Sequence, residues 1–390
     1  MSEIALVDCN NFFASCEQLM NPNLLNKPLC VLSNNDGCVV ARSKEAKALG
    51  ISMGMPYFMA KKQFPQAIYT SGHMHLYQEI SHRVMAKLSS YTPMVEAYSI
   101  DEAFLELSGL KKLYRMSYNG IIEMIQEEIM NEVGIPVSIG LASTKTLAKL
   151  ACEKGKTNTG LYRIGRWNLD DELKRTAIEE IWGVGRNTAA LFHKYGIYKA
   201  SDIVKQNEFW LKKIWGKRGV ELKQELLGES VYPVDNKPAL PKSIQKTSSF
   251  AHFTSDKFYI KNSLHYHAHL ACSKLRRLGL KAEILCIMLR TKDFQVITEK
   301  VVLPGPTDSE LTVNSYADKM LEKIYRPDII YRSSGVYVEK LTEKNASQLY
   351  LFDTPKNQKA EKLAQVWDKI EHKYGKGSFS IGALNPKKED

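Results

Sequence analysis

Ile4-Ala5-Leu6-Val7 is a short apolar run that stops on Asp8, and helix-like spacing takes over from Phe12 to Leu19. The pattern predicts a buried strand and then a helix, with a carboxylate at the strand's C-terminal end, where sheets commonly present ligands. A second strand, Leu29 to Leu32, runs into Ser33-Asn34-Asn35-Asp36-Gly37, and Asp-Gly is a strong hairpin signal ahead of Cys38 to Ala41. A basic helix from Ser43 to Leu49 follows, stopped by Gly50. Val95 to Ser99 and Ala103 to Leu107 read as a hairpin with Asp101 and Glu102 at its turn. Strand neighbours face opposite sides, so two consecutive carboxylates serve one site only where the chain turns. A helix from Asn119 to Val133, a strand from Ile135 to Leu141 and a helix from Ser143 to Glu153 lead to the Gly-bounded Gly155 to Gly160. The alternation predicts an α+β domain with helices on a mainly antiparallel sheet.

From Ile178 to Leu227 the pattern is all-helical, centred on Trp182-Gly183-Val184-Gly185. Gly228 to Lys242 carries Pro233, Pro238 and Pro241 with little apolar periodicity, which reads as a linker. A strand from Ser243 to Ala251 precedes a long helix whose face is Ile260, Leu264, Ala268, Ala271, Leu275 and Leu278. Strands at Ala282 to Thr291 and Thr298 to Leu303, a helix from Ser315 to Tyr325 and a strand from Gly335 to Lys340 complete a βαββαβ order.

Composition narrows the classes. The 390 residues allow two to four domains at about 150 each, and 44% hydrophobic with 25% charged suits a well-cored chain rather than a disordered one. No apolar run approaches the roughly 20 residues of a bilayer span, and the start lacks a signal-peptide pattern, so no membrane association is expected. Seven cysteines without a CxxC pair predict free thiols. Fifty-four basic against 43 acidic residues leave +11, which suits a polyanion partner. The charge is uneven. Met1 to Leu110 holds eight Lys/Arg against ten Asp/Glu, whereas Lys237 to Val302 holds twelve against four. A basic cradle beside an acidic site suits an enzyme that holds nucleic acid and uses metal ions, although a solvated Lys-rich surface has the same arithmetic.

Asp8, Asp101 and Glu102 form the acidic set, of the oxygen chemistry that magnesium prefers. Lys44, Lys47 and Lys156, with Arg42 nearby, are candidate triphosphate contacts or solvated helix residues. The Gly183-Val184-Gly185 turn exposes backbone N–H groups that suit a phosphate, or is a plain helical hairpin. Gln348-Leu349-Tyr350-Leu351-Phe352 offers one polar anchor and apolar Leu349, Leu351 and Phe352 to a partner's pocket, or packs locally as a strand. His265 and His269 are helical neighbours with His267 between them, but no cysteine or carboxylate close in sequence completes a metal set.

In order, Val7-Asp8-Cys9-Asn10-Asn11-Phe12-Phe13-Ala14-Ser15-Cys16-Glu17, Ser33 through Gly50, Tyr98-Ser99-Ile100-Asp101-Glu102-Ala103-Phe104, Ser138 through Lys145, Trp182 to Gly185 and Gln348 to Phe352 resemble Y-family translesion DNA polymerases, most of all the UmuC type, the catalytic subunit of bacterial DNA polymerase V. The resemblance covers nearly the whole chain. It implies a multidomain α+β right hand: palm at 1–23 and 76–165, small fingers at 24–75, a helical thumb with a helix-hairpin-helix at 166–227, a linker at 228–242, a little finger at 243–345 and a C-terminal tail at 346–390.

It further implies that Asp8, Asp101 and Glu102, with the Cys9 carbonyl, hold two magnesium ions. Phe12, Phe13, Arg42, Lys44, Lys47 and Lys156 would bind the nucleotide, with Phe13 the steric gate against ribose. Gly37, Cys38 and Ala41 would leave room at the templating base, so fidelity would be low. Gly183 and Gly185 would contact DNA. Gln348, Leu349, Leu351 and Phe352 would bind the sliding clamp. Expected partners are primer-template DNA, a deoxynucleoside triphosphate (dNTP), the clamp, a processed UmuD dimer and a RecA filament, in the cytoplasm at the bacterial nucleoid. The expected role is error-prone synthesis in SOS mutagenesis. The alternatives are an inactive DNA-binding scaffold subunit, against which the intact carboxylates speak, and a palm-fold nucleotide cyclase, which would not need the Trp182 to Gly185 turn or the basic downstream region. UmuC relatives extend further at the C-terminus, which leaves partner binding through the last segment open.

Overall fold

The computed structural model describes residues 2–33, 35–237, 240–343, 366–370 and 373–375. Two compact units divide the chain, one ending at residue 238 and the other beginning at 239.

The first unit begins with β1 (Ile4–Cys9), α1 (Phe12–Met20), β2 (Leu29–Leu32), β3 (Val39–Arg42), α2 (Lys44–Ala48), α3 (Tyr57–Gln63), β4 (Ile68–Ser71) and α4 (Met74–Tyr91). It continues with β5 (Val95–Ala97), β6 (Glu102–Glu106), α5 (Leu110–Tyr114), α6 (Tyr118–Val133), β7 (Val137–Ala142), α7 (Lys145–Gly155) and β8 (Leu161–Arg163). The principal sheet runs β5-β6-β1-β7-β8, and a smaller one runs β3-β2-β4. Every β1 side chain is buried because both faces of the sheet are covered. Ala5, Val7 and Cys9 join Tyr77, Ile80 and Leu88 of α4 and Ile121, Ile125 and Ile129 of α6. Ile4 and Leu6 face the other way, into a core with Leu147, Ala148 and Ala151 of α7 and Ile178, Phe192 and Leu211 beyond it. The period-two split of one strand between two cores fixes its register, since a one-residue slip would exchange them.

Helix α8 (Leu169–Arg175) leads into the all-helical stretch, which contains α9 (Arg186–His193), α10 (Ala200–Lys205), α11 (Glu208–Trp215) and α12 (Lys217–Leu226). The proline-bearing segment after it is held at its start. The buried Glu225 carboxylate accepts from the backbone N–H groups of Val231 (2.8 Å) and Tyr232 (3.1 Å), and Val234 is buried.

The second unit contains β9 (Ser243–Thr254), α13 (Lys257–Arg277), β10 (Leu280–Thr291), β11 (Val296–Thr307), α14 (Glu310–Ile324) and β12 (Tyr331–Glu343), the expected βαββαβ order. Its sheet runs β11-β10-β12-β9 and is antiparallel throughout. The α13 stripe Ile260, Leu264, Ala268, Ala271 and Leu275 is buried against it. The three histidines go to separate partners: His265 to Asp318 (2.8 Å), His267 to Ser248 (3.3 Å) and His269 to Glu310 (3.0 Å). Carboxylates absent from their sequence neighbourhood arrive from α14, yet the three rings share no common ligand site.

Among the described residues no helix is long and apolar enough to cross a membrane. All seven cysteines are free thiols.

Candidate active site

The β1 strand ends at a tight strand-to-helix turn, in which Asn11 takes a left-handed backbone (φ 51°) that asparagine tolerates well. Asp8 stands opposite Glu102 across the β1–β6 ladder and opposite Ser138 across β1–β7. The Cys9 N–H donates to the Asp101 carbonyl (2.8 Å), tying the end of β1 to the carboxylate turn. Ser99 closes that turn. Its hydroxyl donates to Asp101 Oδ1 (2.5 Å) and accepts from the N–H groups of Asp101 (3.3 Å) and Glu102 (3.0 Å). Asp101 and Glu102 are thus brought beside Asp8 by a hairpin and a central strand.

Lysines of α7 reach the same place. Lys149 Nζ donates to both Glu102 carboxylate oxygens at 2.8 Å, and Lys156 Nζ to Asp8 Oδ2 (2.8 Å) and Glu153 Oε1 (2.7 Å). α7 sits low enough for this because β7 has Gly140 under it: a Cβ there would fall 2.1 Å from the Cys152 nitrogen and 2.2 Å from the Ala148 oxygen. Burial raises the Asp8 carboxyl to about 7; Lys156 opposes the rise and the neighbouring Glu102 carboxylate adds to it. Burial works against the Lys156 charge, but Asp8 and Glu153 outweigh it and hold the ammonium above the usual lysine range. Lys47 is lowered, first by desolvation and then by Arg42 and Lys156. Burial pushes the Cys9 and Cys152 thiols up, which keeps them neutral packing groups.

Asp8, Asn10, Lys44, Lys47, Ser138 and Lys156 line one cleft of about 810 Å³. Ser43 caps α2 by accepting from the Ala46 N–H (3.2 Å), which orients Lys44 and Lys47. The Arg42 guanidinium donates to the Ile51 carbonyl beside them. A cleft lined by Asp8 and three lysines, with Glu102 opposite Asp8 in the ladder, suits an anionic ligand and a cation together.

The donor set is all hard oxygen, the chemistry a magnesium-like cation takes, and the two lysines show that positive charge is accepted there. Such a cation fits these residues. Among the described residues no three His, Cys, Asp or Glu side chains are already gathered around a single point. Asp8 Oδ2 is taken by Lys156 and both Glu102 oxygens by Lys149, while the Asp101 carboxylate is taken by Ser99.

The family model described as the impB/mucB/samB family matches residues 7–153, and its C-terminal domain matches residues 241–351. The chain belongs to that family. Protein UmuC of Salmonella typhimurium (strain LT2) is 33% identical over 392 residues, covering 96% of this chain and 92% of the relative. DNA polymerase IV of Bacillus velezensis (strain FZB42) is 30% identical over 391 residues, covering 98% and 93%. A solved Y-family DNA polymerase chimera of Dbh and Dpo4 superposes with a TM-score of 0.75 at 26% identity, covering 87% of this chain and 99% of that one. The Y-family polymerase fold expected from the sequence is therefore the fold of this impB/mucB/samB chain.

Within this family member the structure gathers Asp8, Asp101, Glu102, Lys44, Lys47 and Lys156 at or beside one cleft. Phe12 is buried in the core (3% exposed) and meets Phe13 at 5.8 Å between ring centroids. Gly183 has φ +88°, and a Cβ at Gly183 or Gly185 would meet nothing within 4 Å, so the turn is open. Gln348 to Phe352 lie outside the described residues. Three partners escaped the sequence reading. Lys149 holds Glu102, and its signal was the spacing of Lys145, Lys149 and Lys156, which puts them on one face of α7. Tyr77 stacks on Phe13 at 4.4 Å and 14°, and its hydroxyl donates to the buried Glu17, which His73 also contacts at 2.7 Å. Nothing local in the sequence announces a contact spanning 60 residues.

Proposed function

We propose that this chain, a Y-family DNA-directed DNA polymerase, extends a primer 3′-hydroxyl from dNTPs and inserts with low fidelity opposite damaged template bases. The observation that carries the reading is Asp8 facing Glu102 across β1–β6, beside Asp101, at a lysine-lined cleft. Asp8, Asp101, Glu102 and the Cys9 carbonyl would hold two magnesium ions. When bound, these supply Lewis acidity that lowers the pKa of the primer hydroxyl and neutralises the leaving pyrophosphate.

The protein's own groups do the rest. Lys44, Lys47 and Arg42 receive the triphosphate, and Lys156 exchanges Asp8 for a phosphate oxygen. The Phe13 ring lies under the sugar and leaves no room for a 2′-hydroxyl, with Tyr77 stacked behind it. Gly37, Cys38 and Ala41 keep the templating position roomy. Gly183 and Gly185 hold a backbone phosphate without reading bases. In this reading residues 1–23 and 76–165 are the palm, 24–75 the fingers, 166–227 the thumb and 243–345 a basic little finger on the duplex. Gln348 to Phe352 tether the polymerase to the sliding clamp, which raises the local concentration of primer ends. A UmuD dimer and a RecA filament complete the SOS assembly in the bacterial cytoplasm.

Primer extension with magnesium is the test. Asp101→Ala with Glu102→Ala should abolish extension while duplex binding survives, and equal extension by the double variant would remove the metal assignment. Leu351→Ala with Phe352→Ala should lose clamp affinity alone.

A further inference from the structure

The turn at Trp182 to Gly185 and the carboxylate hairpin are read above as a DNA-backbone contact and a cation site. Two side chains that neither reading uses join them. Trp182 Nε1–H donates to the Tyr98 hydroxyl (3.2 Å), and the rings meet edge to face with centroids 5.5 Å apart. The Tyr98 backbone N–H donates to the Glu102 carbonyl (3.0 Å), so the ring is anchored to the metal-site hairpin itself. Lys149 Nζ lies 5.1 Å from the centroid of the Tyr98 ring while it bonds both Glu102 oxygens. Phe104 backs both rings, 5.7 Å from Tyr98 and 5.9 Å from Trp182. Tyr98 is 45% exposed, more than core packing alone requires. One ammonium therefore serves a carboxylate and an aromatic face, and that face is held by the indole of the turn.

We propose that this relay, Trp182 to Tyr98 to Lys149 to Glu102, makes duplex binding at the turn and divalent-cation binding at Glu102 favour each other, with Tyr98 and Lys149 as positioning residues. The proposal rests on the roles given above to Glu102 and to the Gly183 to Gly185 turn. A cation arriving at Glu102 repels the Lys149 ammonium and competes for the same oxygens. The Tyr98 face is the adjacent place where the ammonium remains attracted. A phosphate that fixes the turn fixes Trp182, hence the ring, and lowers the cost of releasing Glu102. Such coupling is reciprocal: the cation strengthens duplex binding by the same factor.

The test is Mn²⁺ affinity of the full chain, followed through the paramagnetic signal of the free ion, without and with a primer-template duplex. A duplex gathers cations near every variant, so the quantity read is the ratio of the two affinities, compared between proteins. Wild type should exceed Tyr98→Leu and Trp182→Phe in that ratio by about fivefold. Tyr98→Phe, which keeps the face and loses the hydroxyl, should fall between. Equal ratios throughout, with Mn²⁺ and duplex still bound, overturn the relay and leave the functional reading standing. Parallel loss of both affinities in a variant, at an unchanged ratio, marks the contact as merely structural and overturns it too. Failure of wild type to bind Mn²⁺ removes the cation site and the relay together.

Discussion

Two clusters of partly buried charge among the described residues, one in each unit, are built oppositely. In the first unit, lysine ammoniums meet Asp8 and Glu102, and Lys149 and Lys156 stay 21% and 31% exposed, Lys156 in the cleft lining. In the second, the Arg276 guanidinium is 7% exposed. It donates to both oxygens of Asp368 (2.6 and 2.8 Å), to Glu310 (2.7 Å) and to the Asp308 carbonyl (2.9 Å). His269 also pairs with Glu310 and stacks on Trp367 at 4.6 Å. A planar fork that uses several donors at once is hard to displace, whereas an ammonium on a flexible stem is a point charge that can change partners. The difference separates a cluster that pins residues 366–370 to the second unit from one that is poised to exchange ligands.

Three measurements can break or sharpen that contrast. The largest effect is expected from Arg276→Ala, which leaves Glu310 without its main counter-charge and should cost the second unit about 3–5 kcal/mol in urea unfolding. Lys156→Ala should cost no more than about 1 kcal/mol, as partly exposed pairs do. Equal losses would erase the distinction. Next is pH. Burial holds Asp8 near 7, above its unfolded value, so a proton occupies this carboxylate at lower pH. Divalent affinity should be nearly full at pH 8, halved at pH 7 and about tenfold lower at pH 6 by calorimetry; a flat profile would count against Asp8 as a ligand. Smallest is Tyr77→Leu. It removes the ring behind Phe13, and an aromatic pair at about 0.5–1.5 kcal/mol predicts roughly twofold to twelvefold more ribonucleotide insertion, read as the ratio of kcat/KM values. An unchanged ratio would mean that Phe13 holds its place alone.

What was legible in the sequence follows from the range of each interaction. Strand β1, the Asp101-Glu102 turn and the apolar face of α13 depend on neighbours a few residues away, and period and turn chemistry reveal them. Helix α4 was not foreseen, although Tyr77, Ile80, Val84, Leu88 and Tyr91 are its buried face. Gln78, His82 and other polar residues between those positions dilute the stripe, and Tyr77 matters through a hydroxyl whose acceptor lies on α1. Helix α14 begins at Glu310, five residues before the Ser315 read from the pattern, with a first turn held by the Arg276 ion pair to Glu310 as well as by buried Val313. Lys149 was readable as one of three lysines on a helix face, but not as the partner of Glu102. That depends on how closely α7 approaches the sheet.

The approach is set at Gly140. Because a hydrogen atom replaces a methyl group there, the helix bearing Lys149 and Lys156 rests directly on the strand that neighbours Asp8. Alanine at 140 touches no ligand and changes no charge, yet it acts as a shim under the helix, displacing both ammoniums from their carboxylates at once. The spacing of the site's chemistry is thus gauged by an atom that takes no part in it.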